Sequence, residues 1–184
     1  MTGQEVKEME LEKAKDLMIP LDEYPHIPHT YSLCQALTEM EKFQLEIDGK
    51  KSLPRVILVF NEKHELMGKV RRRDILRGLD PEGLANLMLP GYLSGDDEPQ
   101  LDIIIDKVLG NFKRSVTDVM RPITDTVDYE DDIVKMMNKI VDSDSSFLPV
   151  MKNGKVVGVA RTVEMLHELY KVCNIEKVAK NPPA

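Results

Sequence analysis

The chain has 184 residues, of which 42% are hydrophobic and 31% are charged, and its formal net charge is −7. This balance is typical of an ordinary soluble globular protein. The negative net charge argues against broad nucleic-acid binding, which needs basic side chains to neutralise phosphates. No apolar run approaches membrane-spanning length, and the N-terminus lacks the basic-then-apolar order of a signal peptide, so we expect a cytoplasmic protein with no membrane partner.

The first part of the chain divides into an arm and a predicted domain. Residues 1–13 are rich in charge and predict an N-terminal helix or arm. Residues 14–79 predict a first domain, which opens on the motif Asp16–Pro20.

Within this first domain, the hydrophobic period predicts the order strand, helix, strand, strand, helix. Residues 43 to 54 contain the turn dipeptide Asp48-Gly49 with polar neighbours, and we expect them to form an exposed loop. After the opening strand, the predicted elements are a helix at 33–40, strands at 56–60 and 66–70, and a helix from Asp74 onward.

The rest of the chain predicts a connector, a second domain and a tail. Residues 80–114 form the connector, in which apolar residues from Leu101 to Phe112 predict a helix with a buried face. Residues 115–172 repeat the order of elements of the first domain, and residues 173–184 predict a C-terminal tail.

The two domains share motifs in the same order. The opening Asp16–Pro20 returns as Asp118–Pro122, and Gly68 returns as Gly158. Each copy closes on an arginine, two residues and an acid, which are Arg71 with Asp74 and Arg161 with Glu164. A duplicated unit predicts a pseudo-twofold body in which each half buries a face against the other.

Candidates for catalysis or metal binding are few. His26 and His29 lack the further ligands that zinc requires, and no nucleophile motif, Walker sequence or Gly-x-Gly-x-x-Gly is present. Cys34 and Cys173 are far apart in sequence, and we expect both to be free, small, buried side chains. The sequence therefore predicts neither an enzyme nor a metal site.

The repeated motifs resemble those of a tandem pair of CBS domains (named after cystathionine beta-synthase), also called a Bateman module. The resemblance rests on the two openings, the two hairpins around Gly68 and Gly158, and the two closings. It implies an α/β fold in which two β-α-β-β-α units pack sheet to sheet with pseudo-twofold symmetry. It further implies a homodimer and a regulatory binding module rather than an enzyme.

The resemblance also implies a ligand, which would be AMP, ADP, ATP or S-adenosylmethionine, bound in two clefts between the units. In the family, the closing acid typically holds the ribose hydroxyls, which makes Asp74 the better candidate here. Glu164 is one methylene longer and would displace the ribose. The residues implied for the first cleft are Asp74, Arg71, Lys69, Met18, Pro20, Arg55 and Val56; those for the second are Glu164, Arg161, Met120, Pro122, Phe147 and Leu148.

Arginine takes the place of the family's hydroxyl residue in both closings, at Arg71 and Arg161. Arginine has no acceptor and cannot cap a helix, but its planar donors suit a phosphate. Two alternatives follow: each arginine binds phosphate, or each turns back onto its own acid and fills the cleft.

Two hypotheses about function follow from these observations. The first is a regulatory protein that senses an adenine nucleotide and acts through a partner protein. The second is a ligand-free scaffold of CBS fold for dimerisation or protein interaction, because both hydroxyl positions are replaced.

Overall fold

A computed structural model describes residues 12–43, 45–47, 50–52, 54–80, 98–143 and 145–180. The fold is mixed α/β, with helices packed on two main sheets. In chain order the elements are α1 (Ala14–Leu17), β1 (Ile19–Pro20), a 3₁₀ turn (Leu21–Glu23), β2 (His26–Pro28), α2 (Leu33–Lys42), β3 (Leu45–Ile47), β4 (Lys50–Ser52), β5 (Val56–Phe60), β6 (Leu66–Arg71), α3 (Arg72–Leu79), α4 (Glu98–Asn111), a 3₁₀ turn (Val116–Asp118), β7 (Val127–Asp128), α5 (Ile133–Ser143), β8 (Phe147–Lys152), β9 (Lys155–Arg161) and α6 (Thr162–Lys180).

The chain forms two compact units. The central unit spans Pro25–Ile123, and the terminal unit combines Met1–Tyr24 with Thr124–Ala184. Each therefore joins the hairpin of one sequence copy to the opening segment of the other copy. The domain boundaries at 14–79 and 115–172 follow the sequence repeat, whereas the compact units exchange the two openings.

The central unit is built on a three-stranded sheet of order β2-β5-β6, with β2 parallel and β6 antiparallel to β5. Strand β5 is an unbroken apolar run and is buried along its whole length, as expected of a central strand. Helix α2 begins at Ser32, whose hydroxyl accepts from the Gln35 backbone N–H while the Gln35 side chain accepts from the Ser32 backbone N–H. The core of this unit contains Ile27, Leu33, Ala36, Met40, Ile57, Val59, Val70, Ile75 and Val116.

The terminal unit is built on a four-stranded sheet of order β1-β9-β8-β7. Strand β1 pairs antiparallel with β9, placing Ile19 opposite Val159 and Pro20 opposite Gly158. Its core contains Ala14, Leu17, Val127, Ile133, Met136, Leu148, Val150, Ala160 and Met165. Helix α6 continues to Lys180, into the segment that the sequence assigned to a tail.

Three expectations about local structure need correction. The insert at 43–54 contains an antiparallel pair, β3 with β4, on either side of Asp48-Gly49, a dipeptide that favours hairpins. Cys34 and Cys173 are both exposed, so the prediction of buried cysteines was wrong; they lie on outward faces of their helices. On α4, Ile105 and Leu109 are exposed, so its predicted stripe is not uniformly core.

The connector holds the end of α3. The Asn111 side chain donates to the Leu79 carbonyl at 2.9 Å, and Arg114 donates to the Gly78 carbonyl at 3.1 Å. These bonds satisfy carbonyls that the helix end leaves without a partner. Residues 1–11 and 81–97, which include parts of the predicted arm and connector, lie outside the described residues. Across the described helices, none is both long and apolar enough to span a membrane.

Candidate functional site

In the central unit, the predicted Asp74 lies in the first turn of α3 and is held by four separate donors. Arg71 donates from Nε to Oδ2 at 2.7 Å and from Nη2 to Oδ1 at 2.9 Å. The Arg71 backbone N–H donates to Oδ2 at 3.1 Å, and Arg121 donates from Nε to Oδ1 at 3.0 Å. An ionised carboxylate has about four lone-pair sites, so the acceptor capacity of Asp74 is filled.

Burial and hydrogen bonding act on Asp74 in opposite directions. The side chain is only 2% exposed, and burial by itself raises the pKa of a carboxyl group. The hydrogen bonds from Arg71, Arg121 and the Arg71 backbone outweigh burial and lower the pKa of Asp74 to about 2. The hydrogen bond to Asp74 also raises the pKa of Arg71. Asp74 is therefore a fixed negative charge between two guanidinium groups.

Arg121 reaches Asp74 because its backbone is paired with strand β6. The Lys69 N–H donates to the Arg121 carbonyl at 2.8 Å, and the Arg121 N–H donates to the Lys69 carbonyl at 2.9 Å. Gly68 makes this approach possible: a Cβ at that position would lie 2.5 Å from the Arg121 carbonyl oxygen and 2.7 Å from Met120 Cγ. The sequence paired Gly68 with Gly158 but did not single out Arg121 as a site residue.

The terminal unit carries a related but simpler arrangement. Arg161 donates from Nε to both oxygens of Glu164, at 2.9 and 3.0 Å, and also from Nη2 to Oε1. All three contacts come from one guanidinium. The Glu164 side chain is 24% exposed, against 2% for Asp74. Ile19, which aligns with Arg121 in the repeat, supplies no second cation.

The same close approach of the opening strand occurs in the terminal unit. A Cβ on Gly158 would lie 2.6 Å from the Ile19 carbonyl oxygen and 2.7 Å from Met18 Sδ. Both glycines of the repeat therefore allow an opening segment to lie against a hairpin. Their pairing in sequence reflects this shared geometry.

Tyr24 is a neighbour of this second pair that the sequence analysis missed. It is 7% exposed and interacts electrostatically with Arg161 and Glu164. Burial raises the pKa of Tyr24 from the ordinary 10 to about 12. Its position just after the opening strand was the available signal, but periodicity does not show which hairpin that strand joins.

The remaining predicted residues divide between the two units. The structure groups Met18 and Pro20 with Glu164, and Met120 and Pro122 with Asp74, which exchanges the grouping inferred from sequence. Val56 is buried opposite Arg71, while Arg55 and Pro122 are exposed. Phe147 and Leu148 are 4% and 0% exposed, and Leu148 is part of the core.

The two alternatives for the arginines differ in the group that each guanidinium contacts, a phosphate or the acid three residues later. Both Arg71 and Arg161 turn back onto the acid of their own closing. Arg121 still has a side chain that is 47% exposed. Within the described part of the chain, no three His, Cys, Asp or Glu side chains gather in a way that would hold a metal ion.

Comparison with known proteins gives a family match and a set of structural neighbours. Residues 116–171 match the family profile of the CBS domain. No curated protein matches the chain.

Three solved structures with the same fold illustrate the neighbours. CBSX2 in complex with AMP is 18% identical, with 87% of this chain and 97% of that chain covered and a TM-score of 0.58. A CBS domain-containing protein from Bacillus anthracis is 20% identical, with 90% and 98% covered and a TM-score of 0.60. The cytosolic domain of the Mg2+ channel MgtE in complex with ATP is 19% identical, with 86% and 50% covered and a TM-score of 0.56. This chain thus spans half the length of the MgtE chain.

Proposed function

We propose that this chain, which carries a CBS domain at residues 116–171 and has the fold of CBS-pair proteins, is a regulatory protein that binds an adenine nucleotide. The observation that supports it most directly is the repeated closing, an arginine and an acid at a helix start beside an opening segment. Two neighbours of the same fold are complexes with AMP and with ATP. The protein would act by changing its contacts with a partner protein when the nucleotide binds.

The terminal unit is the better place for the nucleoside. Glu164 is held by one guanidinium through three hydrogen bonds and is 24% exposed, so its carboxylate retains about one acceptor site for a ribose hydroxyl. Asp74, which the sequence favoured, has four donors and is almost fully buried. The opening strand brings Met18 and Ile19 to the same unit, where they supply apolar surface for a base.

Titration calorimetry of the folded protein with AMP, ADP, ATP and S-adenosylmethionine tests the proposal. At least one of them is expected to bind, and Glu164→Gln is expected to weaken that binding by about tenfold or more, because a charged acceptor of the diol is lost. Glu168→Gln is the matched control: Glu168 lies on the same helix and is also paired with a cation, Lys171. It should leave the affinity unchanged.

Absence of binding by all four ligands would overturn the nucleotide proposal. It would favour the second candidate, a ligand-free scaffold of CBS fold. The observation in favour of that candidate is that both arginines are already paired with their own acids. Equal weakening by Glu164→Gln and Glu168→Gln would remove Glu164 from the site.

We also propose that the protein is a homodimer that binds its ligands without transforming them and works in the cytoplasm. Val163, Leu166 and Tyr170 are each 64% exposed and are spaced three and four residues apart on α6, which gives one apolar stripe. An exposed apolar stripe of this kind is typical of an interface with another protein.

Leu166→Glu is therefore expected to convert a dimer to a monomer in size-exclusion chromatography with light scattering. A charge in the middle of the apolar stripe would have to be buried without a partner. Met67→Glu is the control, since Met67 is an exposed apolar residue on β6 and not on this helix. A wild-type protein that is monomeric at all concentrations would contradict the homodimer.

A further inference from the structure

We propose that Arg121 decides which copy of the repeat binds a nucleoside, because its guanidinium takes the last acceptor position of Asp74 and keeps the central unit closed. This role of Arg121 rests on the proposed function, in which a closing acid accepts from a ribose hydroxyl. It extends that function in one respect: the terminal unit alone binds the ligand, and a single residue of the central unit is responsible.

The carboxylate of Asp74 has no acceptor position left. Its Oδ2 accepts from Nε and from the backbone N–H of Arg71, at 2.7 and 3.1 Å. Its Oδ1 accepts from Nη2 of Arg71 at 2.9 Å and from Nε of Arg121 at 3.0 Å. An ionised carboxylate offers about four lone-pair sites, two on each oxygen, so Arg71 fills three of them and Arg121 fills the fourth.

The carboxylate of Glu164 lacks such a fourth donor. Arg161 fills three positions, since Oε1 accepts from Nε and Nη2 and Oε2 accepts from Nε. Among the residues that the structure describes, Arg161 alone donates to Glu164, so about one acceptor position remains, on Oε2. The acceptor capacity of the two closings therefore differs by the one bond from Arg121.

Arg121 and Ile19 occupy equivalent backbone positions, so this difference comes from the side chain. A Cβ on Gly68 would lie 2.5 Å from the Arg121 carbonyl oxygen, and a Cβ on Gly158 would lie 2.6 Å from the Ile19 carbonyl oxygen. Two backbone hydrogen bonds to Lys69 fix Arg121 in this place. Isoleucine has no hydrogen-bonding group in its side chain, so the same placement leaves the acid of the terminal unit open.

A ribose hydroxyl is a poor competitor for this guanidinium. A hydrogen bond between two charged groups is roughly twice as strong as one between neutral groups. The Asp74 side chain is 2% exposed, and displacement of Arg121 would leave this buried charge with one cation fewer. The Arg121 side chain is 47% exposed and that of Arg71 is 23% exposed, so a ligand approaching from solvent would meet Arg121 first.

Titration calorimetry with AMP, ADP, ATP and S-adenosylmethionine counts the sites in each chain. The wild type is expected to bind about one ligand per chain. Arg121→Ile, which copies the other repeat, is expected to bind about two, because Oδ1 of Asp74 regains an acceptor position. Arg77→Ile is the matched control and should keep the wild-type number: Arg77 is an exposed arginine of α3, and it donates none of the four bonds to Asp74.

Glu164→Gln assigns the gained site to one of the two units. Added to Arg121→Ile, it should weaken the terminal site about tenfold or more and leave the gained site unchanged. This result would place the gained site in the central unit. Loss of both sites would place the gained binding on Glu164 and overturn the role of Arg121.

Arg121→Gln provides a milder variant in case circular dichroism shows that Arg121→Ile is unfolded. Glutamine keeps a donor but removes the charge, so a ribose hydroxyl competes for Asp74 on more equal terms and a second site is again expected. If neither variant binds more ligand than the wild type, Arg121 does not close the central unit, and the proposed function stands wherever the wild type binds one ligand. A wild type that binds none beside an Arg121→Ile variant that binds one would contradict the terminal site and support the role of Arg121.

Discussion

Gly68→Ala is expected to lower the free energy of unfolding by about 1–3 kcal/mol, the usual cost of forcing extra volume into a packed site. The added Cβ would lie 2.5 Å from the Arg121 carbonyl oxygen, and that oxygen already accepts from the Lys69 N–H. Because the nearest atom belongs to the backbone, a rotamer change would not relieve the contact. The segment that carries Arg121 would have to move away, and its two hydrogen bonds to Lys69 would weaken.

Gly110→Ala is the matched control for this substitution. Gly110 lies in α4, and a Cβ there would meet no other atom within 4 Å. Alanine favours a helix over glycine, so the control is expected to be neutral or to raise stability by roughly 0.5–1 kcal/mol. Urea denaturation of the three proteins measures both effects. If Gly68→Ala were as stable as Gly110→Ala, the close approach of the Arg121 backbone to Gly68 would be contradicted.

The order of helices and strands could be predicted because it depends on local patterns. The stripe at Leu33, Ala36 and Met40 predicts α2, and all three residues are buried. The apolar runs at 56–60 and 147–151 predict the two hairpins in the same way. The exchange of the opening segments could not be predicted, because the partner of Ile19–Pro20 is far away in the sequence and the repeat matches either hairpin equally well.

The candidate site was predicted only in part, for a related reason. The acid and arginine of each closing are three residues apart, so their pairing is local, and the sequence allows it as one of two alternatives. Arg121 is 47 residues from Asp74, at the variable position of the opening motif. The available signal was the difference between Arg121 and Ile19 in two otherwise similar openings. Its meaning depends on knowing which hairpin each opening meets.

Asp74→Asn is expected to lower the free energy of unfolding by about 3 kcal/mol near neutral pH. Asp74 accepts from four donors, and an amide offers one acceptor and presents an NH₂ group to the other donors. The variant also leaves Arg71 and Arg121 without a counter-charge. Asp118→Asn is the control, because Asp118 is 44% exposed and 3.5 Å from Arg114 in the same unit, and an exposed pair contributes less than about 1 kcal/mol.

The pH dependence of this loss gives a second, independent readout. The pKa of Asp74 is about 2 in the folded protein and 3.8 in the unfolded chain, so folding is more favourable when Asp74 is ionised. Its contribution is therefore complete above about pH 5 and is lost as the pH falls from about 4 towards 2. Over that interval the stability difference between wild type and Asp74→Asn should shrink by about 2 kcal/mol, as measured by urea denaturation at several pH values. A difference that stays constant down to pH 2 would mean that the two arginines do not hold Asp74 in its charged form. The network that joins Asp74 to Arg71 and Arg121 would then be electrostatically weak.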